Sequence, residues 1–503
     1  MKKDFKKERQ NLSRRGFLGT MGLASATLTI VPSNVLAGRG IPQPSDMINV
    51  AGIGIGARGA SNLQGIADPD VPIVRPQRSN TGQPYTAQQL AEQAARQQQQ
   101  QQQRQQQPQQ QQQAAQQQRA PKRLGNIYAL CDVDLDFSAH VIKGYPKAKV
   151  YQDFRKMLDT EKEIDAITIG TPDHMHAPIA AYAMKMGKHV YVEKPICKTV
   201  FESRELRRIA KEMNVVTQMG NQGHATEGTR QTVEMVQSGA VGKITRVDAY
   251  TGAPSWPQGD LQRPAGVPVP STLDWDLWLG CAPVKPYHPD ICHFNWRGLQ
   301  DYGTGAMGDW GSHILDAPIW ALELKYPTKI HACPTRFSDE FWPACEFITY
   351  EFPARGANPP VTLTWYDGQL KPPRPDVLED GRNVDAVTYY GDKGIMMSGS
   401  RGSGSTLIPE SAMLKYTRPT PWIKRGSGDI YEDWIIAIKN NTKSSNDFEH
   451  SGNLGEIMAL ASIAVKMAPK NITLEYDGEN MRFTNSDEAN DLLHYEYRRG
   501  WTL

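Results

Sequence analysis

Cysteine is scarce in this chain, with six in 503 residues. They stand apart at Cys131, Cys197, Cys281, Cys292, Cys333 and Cys345, without a CxxC and without Cys/His pairs at zinc spacing. This excludes a disulfide scaffold and a zinc module, so the core is held by packing. Cys281 and Cys292 can pair if the chain folds back between them. An excess of one charge is also missing. Lys and Arg number 56 against 54 Asp and Glu, a net +2, which gives no sign of a nucleic-acid partner. Beyond Ala37 no apolar run is long enough to cross a bilayer. The apolar share of 39% is low because a glutamine-rich block dilutes it. What remains is long enough for two or three domains.

The N-terminus carries an address. Lys2, Lys3, Lys6, Lys7 and Arg9 form a basic front. Ser13-Arg14-Arg15-Gly16-Phe17-Leu18 resembles the twin-arginine export signal, and a mildly apolar run ends in small residues near Ala37. Residues 1–37 therefore read as a signal peptide, the translocase as a partner and the periplasm as the destination. Pro32 and the Gly/Ala/Thr-diluted run argue against a membrane anchor, and the missing cysteine near the cleavage region argues against a lipid anchor.

From Ile48 strands alternate with helices. INVAGI, NIYALCDVD, AITIGTPDH and HVYVEKP read as buried strands, and APIAAYAMKMG and ESRELRRIAKEM as crossover helices. That rhythm predicts an α/β domain on a parallel sheet, over residues 46–238. One insert interrupts it. Residues about 69–122 run into a long glutamine tract that buries too little to offset its ordering entropy, so they read as a disordered surface excursion. Past Ser238 the chain is richer in Trp, Pro and strand-like runs such as FITYEF and VTLTWYDG. Residues 239–503 read as a second domain of α+β type, with the helices DIYEDWIIAIKNN and LGEIMALASIAVKMA late in the chain.

Gly54-Ile55-Gly56-Ala57-Arg58-Gly59 is a GxGxxG between a strand and a helix. The first glycine permits a tight turn, the second admits a pyrophosphate close to the backbone, and the third lets helix and strand pack. Arg58 lies within the loop. A register one step earlier, on Gly52, leaves less strand before the turn. Asp132 reads as the acid that binds the adenosine ribose. It lies 73 residues past Gly59, against the usual gap of about 20, and removing the insert restores the spacing. An acid there favours NAD over NADP.

ITIGTPDHMHAPIA, GKHVYVEKPICKT, SGAVGKI and MGDWGSHILDAPIWAL together resemble the glucose–fructose oxidoreductase/inositol dehydrogenase/rhizopine catabolism (Gfo/Idh/MocA) family. The resemblance covers almost everything after Ile48 except the insert. It implies a Rossmann domain followed by an open, mainly antiparallel sheet, with NAD in the cleft between them. It implies that Thr171, Pro172, His174, His176, Glu193, Lys194 and Asn221 line the cofactor, beside Gly54, Gly56, Arg58, Gly59 and Asp132. It further implies an NAD-dependent oxidoreductase of sugar or cyclitol hydroxyls, and a homo-oligomer. Lys194, Asp309 and His313 are the catalytic candidates. Asp309 and His313 stand four apart on a predicted helix, so they face one way. A histidine of near-neutral pKa there can take a hydroxyl proton, Lys194 can stabilise alkoxide charge, and Asp309 can orient the sugar. His224, Trp296, Tyr302 and Trp310 are candidates for the carbohydrate substrate, the aromatics doubling as core residues. Asp316 reads as structural. The His174-x-His176 pair lacks a third ligand, so no metal is expected.

An exported enzyme meets no soluble NAD pool, so the cofactor is expected to stay bound. That favours redox-neutral chemistry, either between two sugars or as glycoside cleavage through transient oxidation, in which a sugar carbon is oxidised, a substituent eliminated and the carbon reduced again. The family's exported glycosidases do not keep the lysine found here as Lys194, which places hydroxyl oxidation first and glycoside hydrolysis second. A cofactor-loaded binding protein without activity is the third reading.

Overall fold

The structure, a computed structural model, describes residues 47–74 and 121–503. The export signal expected at residues 1–37 lies outside the described residues, and so does most of the insert. Its two ends are described. Asp68 N donates to Lys122 O at 2.9 Å, Leu124 N donates to Ile66 O at 2.8 Å, and Ala67 pairs antiparallel with Arg123. The chain thus leaves and re-enters the fold at one point.

The first sheet has six strands: β1 (Ile48–Ile53), β2 (Gly125–Cys131), β3 (Lys149–Tyr151), β4 (Ala166–Ile169), β5 (His189–Glu193) and β6 (Thr217–Gly220). All pairings are parallel, in the order β3-β2-β1-β4-β5-β6. The central strands are apolar on both faces because helices cover both. Strands β3 and β6 carry no sequence signal. KVY is three residues long and mostly exposed, and TQMG is buried but polar. The order reverses between β1 and β4, which opens a crevice at the carboxyl ends of the strands.

Two devices shape the first turn. Gly54 has φ +72°, and a Cβ there would lie 2.7 Å from the Thr171 backbone nitrogen. Only glycine meets both demands. A Cβ on Gly56 would lie 2.3 Å from the Phe137 ring. Gly52 sits inside β1, so the turn begins at Gly54, as the later register requires.

The second sheet is mixed, with the order β13-β12-β11-β7-β10-β9-β8-β14-β15. Its strands are β7 (Ile244–Tyr250), β8 (Lys329–Pro334), β9 (Glu346–Phe352), β10 (Val361–Tyr366), β11 (Val387–Gly391), β12 (Gly394–Ser398), β13 (Thr406–Ile408), β14 (Leu474–Asp477) and β15 (Arg482–Phe483). Only β7 and β10 pair in parallel. The helix Phe448–Met467 is apolar nearly all round and lies in the core between the two sheets' layers. It is pinned to the helix Val200–Met213 by an Arg204–Glu456 ion pair of 2.6 Å. The helix Ile430–Asn440 returns to the first domain, where Tyr431 and Trp434 share a cluster with Val50 and Leu63. Residues Ile48–Leu503 pack as one unit. All six cysteines are free, Cys281 and Cys292 included. Cys281 Sγ faces the His174 carbonyl and Cys292 Sγ faces His293 Nδ1.

Candidate active site

Five of the six strands of the first sheet deliver a residue to the same crevice from their carboxyl ends. Gly54 follows β1, Asp132 β2, Gln152 β3, Thr171 β4 and Lys194 β5, and all five line one solvent-open cleft. Gly56, Arg58, Pro172, His176, Glu193, Trp296 and Asp309 line it too.

The glycine loop and the acid after β2 are coupled. Asp132 Oδ2 accepts from Gly56 N at 2.9 Å, and Oδ1 accepts from Asp134 N at 3.0 Å. Burial raises its pKa, and these bonds oppose the shift. Arg58 does not reach freely into the cleft. Its Nε donates to Glu193 Oε1 at 2.9 Å and its guanidinium reaches Tyr431 Oη at 3.3 Å. Thr171 Oγ1 is buried without a hydrogen-bond partner and sits against the open turn. An orphaned hydroxyl, a close-approach glycine and a buried acid fit a dinucleotide laid across this loop.

At the other end lies the reactive constellation. Lys194 Nζ donates to Asp309 Oδ1 at 2.7 Å and to the Asp309 carbonyl at 3.0 Å. Arg297 Nε stands 3.5 Å from the same carboxylate. Burial would push Asp309 up, but the charges of Lys194 and Arg297 outweigh it and hold the carboxyl below its usual range. Asp309 and His313 share the helix Gly305–Ile314. Asn221, following β6, donates through Nδ2 to the Ser312 carbonyl at 2.7 Å, so its Oδ1 faces His313 Nδ1 at 2.8 Å. That orientation puts the imidazole proton on Nδ1 and leaves Nε2 as an acceptor.

Several residues stand elsewhere than expected. His174 does not line the cleft. It is fully buried beside Trp278 and Tyr302, with Nε2 on the Trp278 carbonyl at 3.0 Å. Tyr302 is core, its hydroxyl accepting from Arg263 at 2.7 Å. Gly59 packs under the loop, where a Cβ would lie 2.2 Å from the Gly54 carbonyl oxygen. Trp310 meets His313 edge-on at 6.1 Å and does not line the cleft. Asn221 and His313 support the cleft from just behind Lys194 and Asp309. His224 is buried against Asp316. His313 is not a near-neutral histidine. Burial, with the charges of Lys194 and Arg401, lowers it to about 3. His176 holds the Pro195 and Thr171 carbonyls at 2.6 and 3.0 Å, apart from His174, so the pair makes no joint site.

A cover over the cleft has no counterpart in the sequence reading. Asp274 N donates to the Val133 carbonyl at 2.9 Å, and Leu135 N donates to the Thr272 carbonyl at 3.3 Å. His293 stacks on Phe137 at 3.8 Å and contacts Asp134 Oδ2 at 3.0 Å. Trp278, His293, Arg297 and Trp501 all line the cleft. Only the aromatic richness of this stretch marks it in the sequence.

The oxidoreductase-family model with an NAD-binding Rossmann fold (GFO_IDH_MocA) matches residues 87–221, and the model of that family's C-terminal alpha/beta domain matches residues 229–337. Levoglucosan dehydrogenase of Pseudarthrobacter phenanthrenivorans is 25% identical over 188 residues, 37% of this chain and 40% of that protein. Glycosyl hydrolase family 109 protein 2 of Phocaeicola vulgatus is 32% identical over 130 residues, 24% of this chain and 31% of that protein. The chain thus spans less than half the length of these curated relatives. The WlbA dehydrogenase of Bordetella pertussis, solved with NADH and UDP-GlcNAcA, superposes with TM-score 0.51 at 12% identity, covering 86% of this chain and 99% of that one. At that identity the likeness is one of fold. Matched in order by both models, the chain is similar to the Gfo/Idh/MocA oxidoreductases, and its parallel and mixed sheets are the NAD-binding Rossmann fold and the C-terminal alpha/beta fold that those models describe.

Proposed function

We propose that this protein is an exported oxidoreductase that oxidises a carbinol carbon of a sugar, cyclitol or glycoside and keeps its NAD through the cycle. The observation that carries this reading is the connected set Lys194–Asp309 and Asn221–His313 at the end of a nucleotide-shaped cleft. The curated relatives supply the substrate class, since levoglucosan dehydrogenase and a glycosyl hydrolase both bear carbohydrate names.

NAD, held by the loop 54–59 and Asp132, would supply the hydride acceptor. This chain's residues manage the proton and the charge. Lys194, anchored on Asp309, places a positive charge beside the reacting oxygen and favours its alkoxide character. Asn221 fixes the tautomer of His313, so Nε2 keeps the lone pair that would take the hydroxyl proton. The low pKa of His313 keeps it neutral at rest and makes it a weak base that returns the proton readily in the reverse direction. Asp309 is ionised and offers its remaining acceptor capacity to a neighbouring hydroxyl. Asp132 favours NAD over NADP by repelling a 2′-phosphate.

Retention is supported by the cover that bridges residues 272–296 to the loop after β2, and by the export signal at Ser13–Leu18. We extend the proposal to the periplasm as site of action, to passage through the twin-arginine translocase, and to a homo-oligomer. Glycoside cleavage through transient oxidation is the second reading, favoured by the 32% identity to the family 109 protein.

The test is a panel of sugars and nitrophenyl glycosides with the purified protein. Reduced-nicotinamide absorbance that appears with a sugar and reverses with a keto-sugar supports oxidoreduction. Release of nitrophenol without net absorbance change moves glycoside cleavage first. Neither signal across the panel overturns the enzyme reading in favour of a binding protein.

A further inference from the structure

Behind His313 lies a second constellation that the proposed chemistry does not use. His224 stands on the turn Gln222–Ala225, Asp316 opens the helix Asp316–Ala321, and His450 stands on the helix Phe448–Met467. No sequence spacing announces this set, since Asp316 lies 92 residues from His224 and 134 from His450. In the fold, His224 Nδ1 lies 3.0 and 2.9 Å from the two Asp316 oxygens, and His450 Nε2 lies 2.7 Å from Oδ1. One nitrogen or oxygen from each residue falls within 4.8 Å of the others.

Three features separate this cluster from an ordinary hydrogen-bonded pair. Asp316 is buried to 2% exposure, yet among the described residues its only partners within ion-pair distance are the two imidazoles. A buried carboxylate needs a compensating charge, and among the described residues no lysine or arginine lies within ion-pair distance of it. His224 Nδ1 is equidistant from both carboxylate oxygens, whereas a single N–H donor gains most by aiming at one lone pair. One ligand atom from each of the three residues lies within 4.8 Å of the others, close enough to share one ion. The third ligand also leaves a way in. The His450 side chain is 21% exposed, so solvent reaches the set from that side and can fill a fourth position. His224 stacks on Trp320 at 4.5 Å and 14°, which fixes its ring plane.

We propose that His224, Asp316 and His450 bind one divalent first-row transition-metal cation, with two imidazoles, one carboxylate and a water. Two nitrogens and a carboxylate oxygen with an open position suit zinc, and also manganese or ferrous iron. The ion would tie the turn after β6 to the helix pair 305–321. These elements carry Asn221 and His313, so the metal would act as a clamp under the site, with no contact to the reacting atoms.

The test uses the full chain after EDTA dialysis, with Co²⁺ as the probe and mass-spectrometric metal analysis. Uptake of one Co²⁺ per chain that Zn²⁺ displaces, and that His450→Ala weakens at least tenfold, supports the site. No uptake by the unaltered chain overturns it, and so does uptake that His450→Ala leaves unchanged. Should that variant not fold, X-ray absorption of the Co²⁺-loaded unaltered chain decides the matter. Two imidazoles in the first shell support the site, and a sulfur ligand or fewer than two imidazoles overturns it.

Discussion

Lys194 is the residue on which the proposed chemistry turns. Its two bonds to Asp309, 2.7 and 3.0 Å, hold the ammonium where an alkoxide would form. Lys194→Met keeps much of the side chain's bulk and removes the charge. Turnover is expected to fall by about 10²–10³-fold, the usual loss for one preorganised electrostatic donor, while the bound nucleotide is retained. Reduced-nicotinamide absorbance measures the first and denaturing release the second; full turnover would remove Lys194 from the mechanism. His313 makes a different prediction. With burial and two neighbouring cations lowering it to about 3, it stays neutral across the ordinary pH range. The pH profile of kcat/KM should then show no acid limb near about 6.5 that disappears in His313→Gln. Such a limb would contradict the burial-driven shift. The identities of Lys194, Asp309 and His313 were legible because the motifs fix residue type and spacing. The environment of His313 was not, because burial and the approach of Arg401 come from distant chain. His174 shows the same limit, since its sequence neighbours place it at the cleft and its packing against Trp278 and Tyr302 turns it inward.

At the scale of elements, the insert and the cover follow opposite rules. The insert reads as composition, and its ends close on each other through Asp68 and Lys122. Replacing residues 75–120 by a short Gly/Ser linker is therefore expected to leave the thermal midpoint and activity nearly unchanged, checked by calorimetry and the sugar assay. Lost folding would assign the insert a structural role. The cover was invisible beforehand, because its hold on the first domain consists of backbone bonds and a His293–Phe137 stack between residues far apart in sequence. His293→Ala removes that stack and the Asp134 contact. Nucleotide loss on dialysis should become measurably faster; an unchanged rate would show that the cover does not retain the cofactor. Strands β1, β2, β4 and β5 were readable from apolar runs. Strands β3 and β6 were not, since their place in the sheet rests on neighbours and not on their own residues.

At the scale of the whole molecule, a buried acid pair in the second sheet sets a pH limit on stability. Glu346 N donates to Asp367 Oδ1 at 2.7 Å, and Trp365 Nε1 donates to Oδ2 at 3.1 Å. Burial raises both carboxyls, Asp367 to about 7, and Glu346 is raised further by the neighbouring Asp367. A folded-state pKa above the unfolded value means stability that is present at low pH and lost as pH rises through the folded pKa. From about pH 4, where the unfolded carboxyls ionise, up to about 7, where Asp367 ionises in the folded protein, stability should fall as pH rises. Glu346→Gln removes one of the two acids and should flatten that slope; an equal slope in both proteins would exclude the pair as its cause.

The two domains, the covered cleft and the proposed export signal meet in one claim, that NAD is held in place and recycled there. Mass spectrometry of what leaves the freshly purified protein on denaturation tests it directly. The account predicts close to one NAD(H) per chain, surviving extensive dialysis. An empty protein that takes up NAD only weakly and reversibly would contradict it.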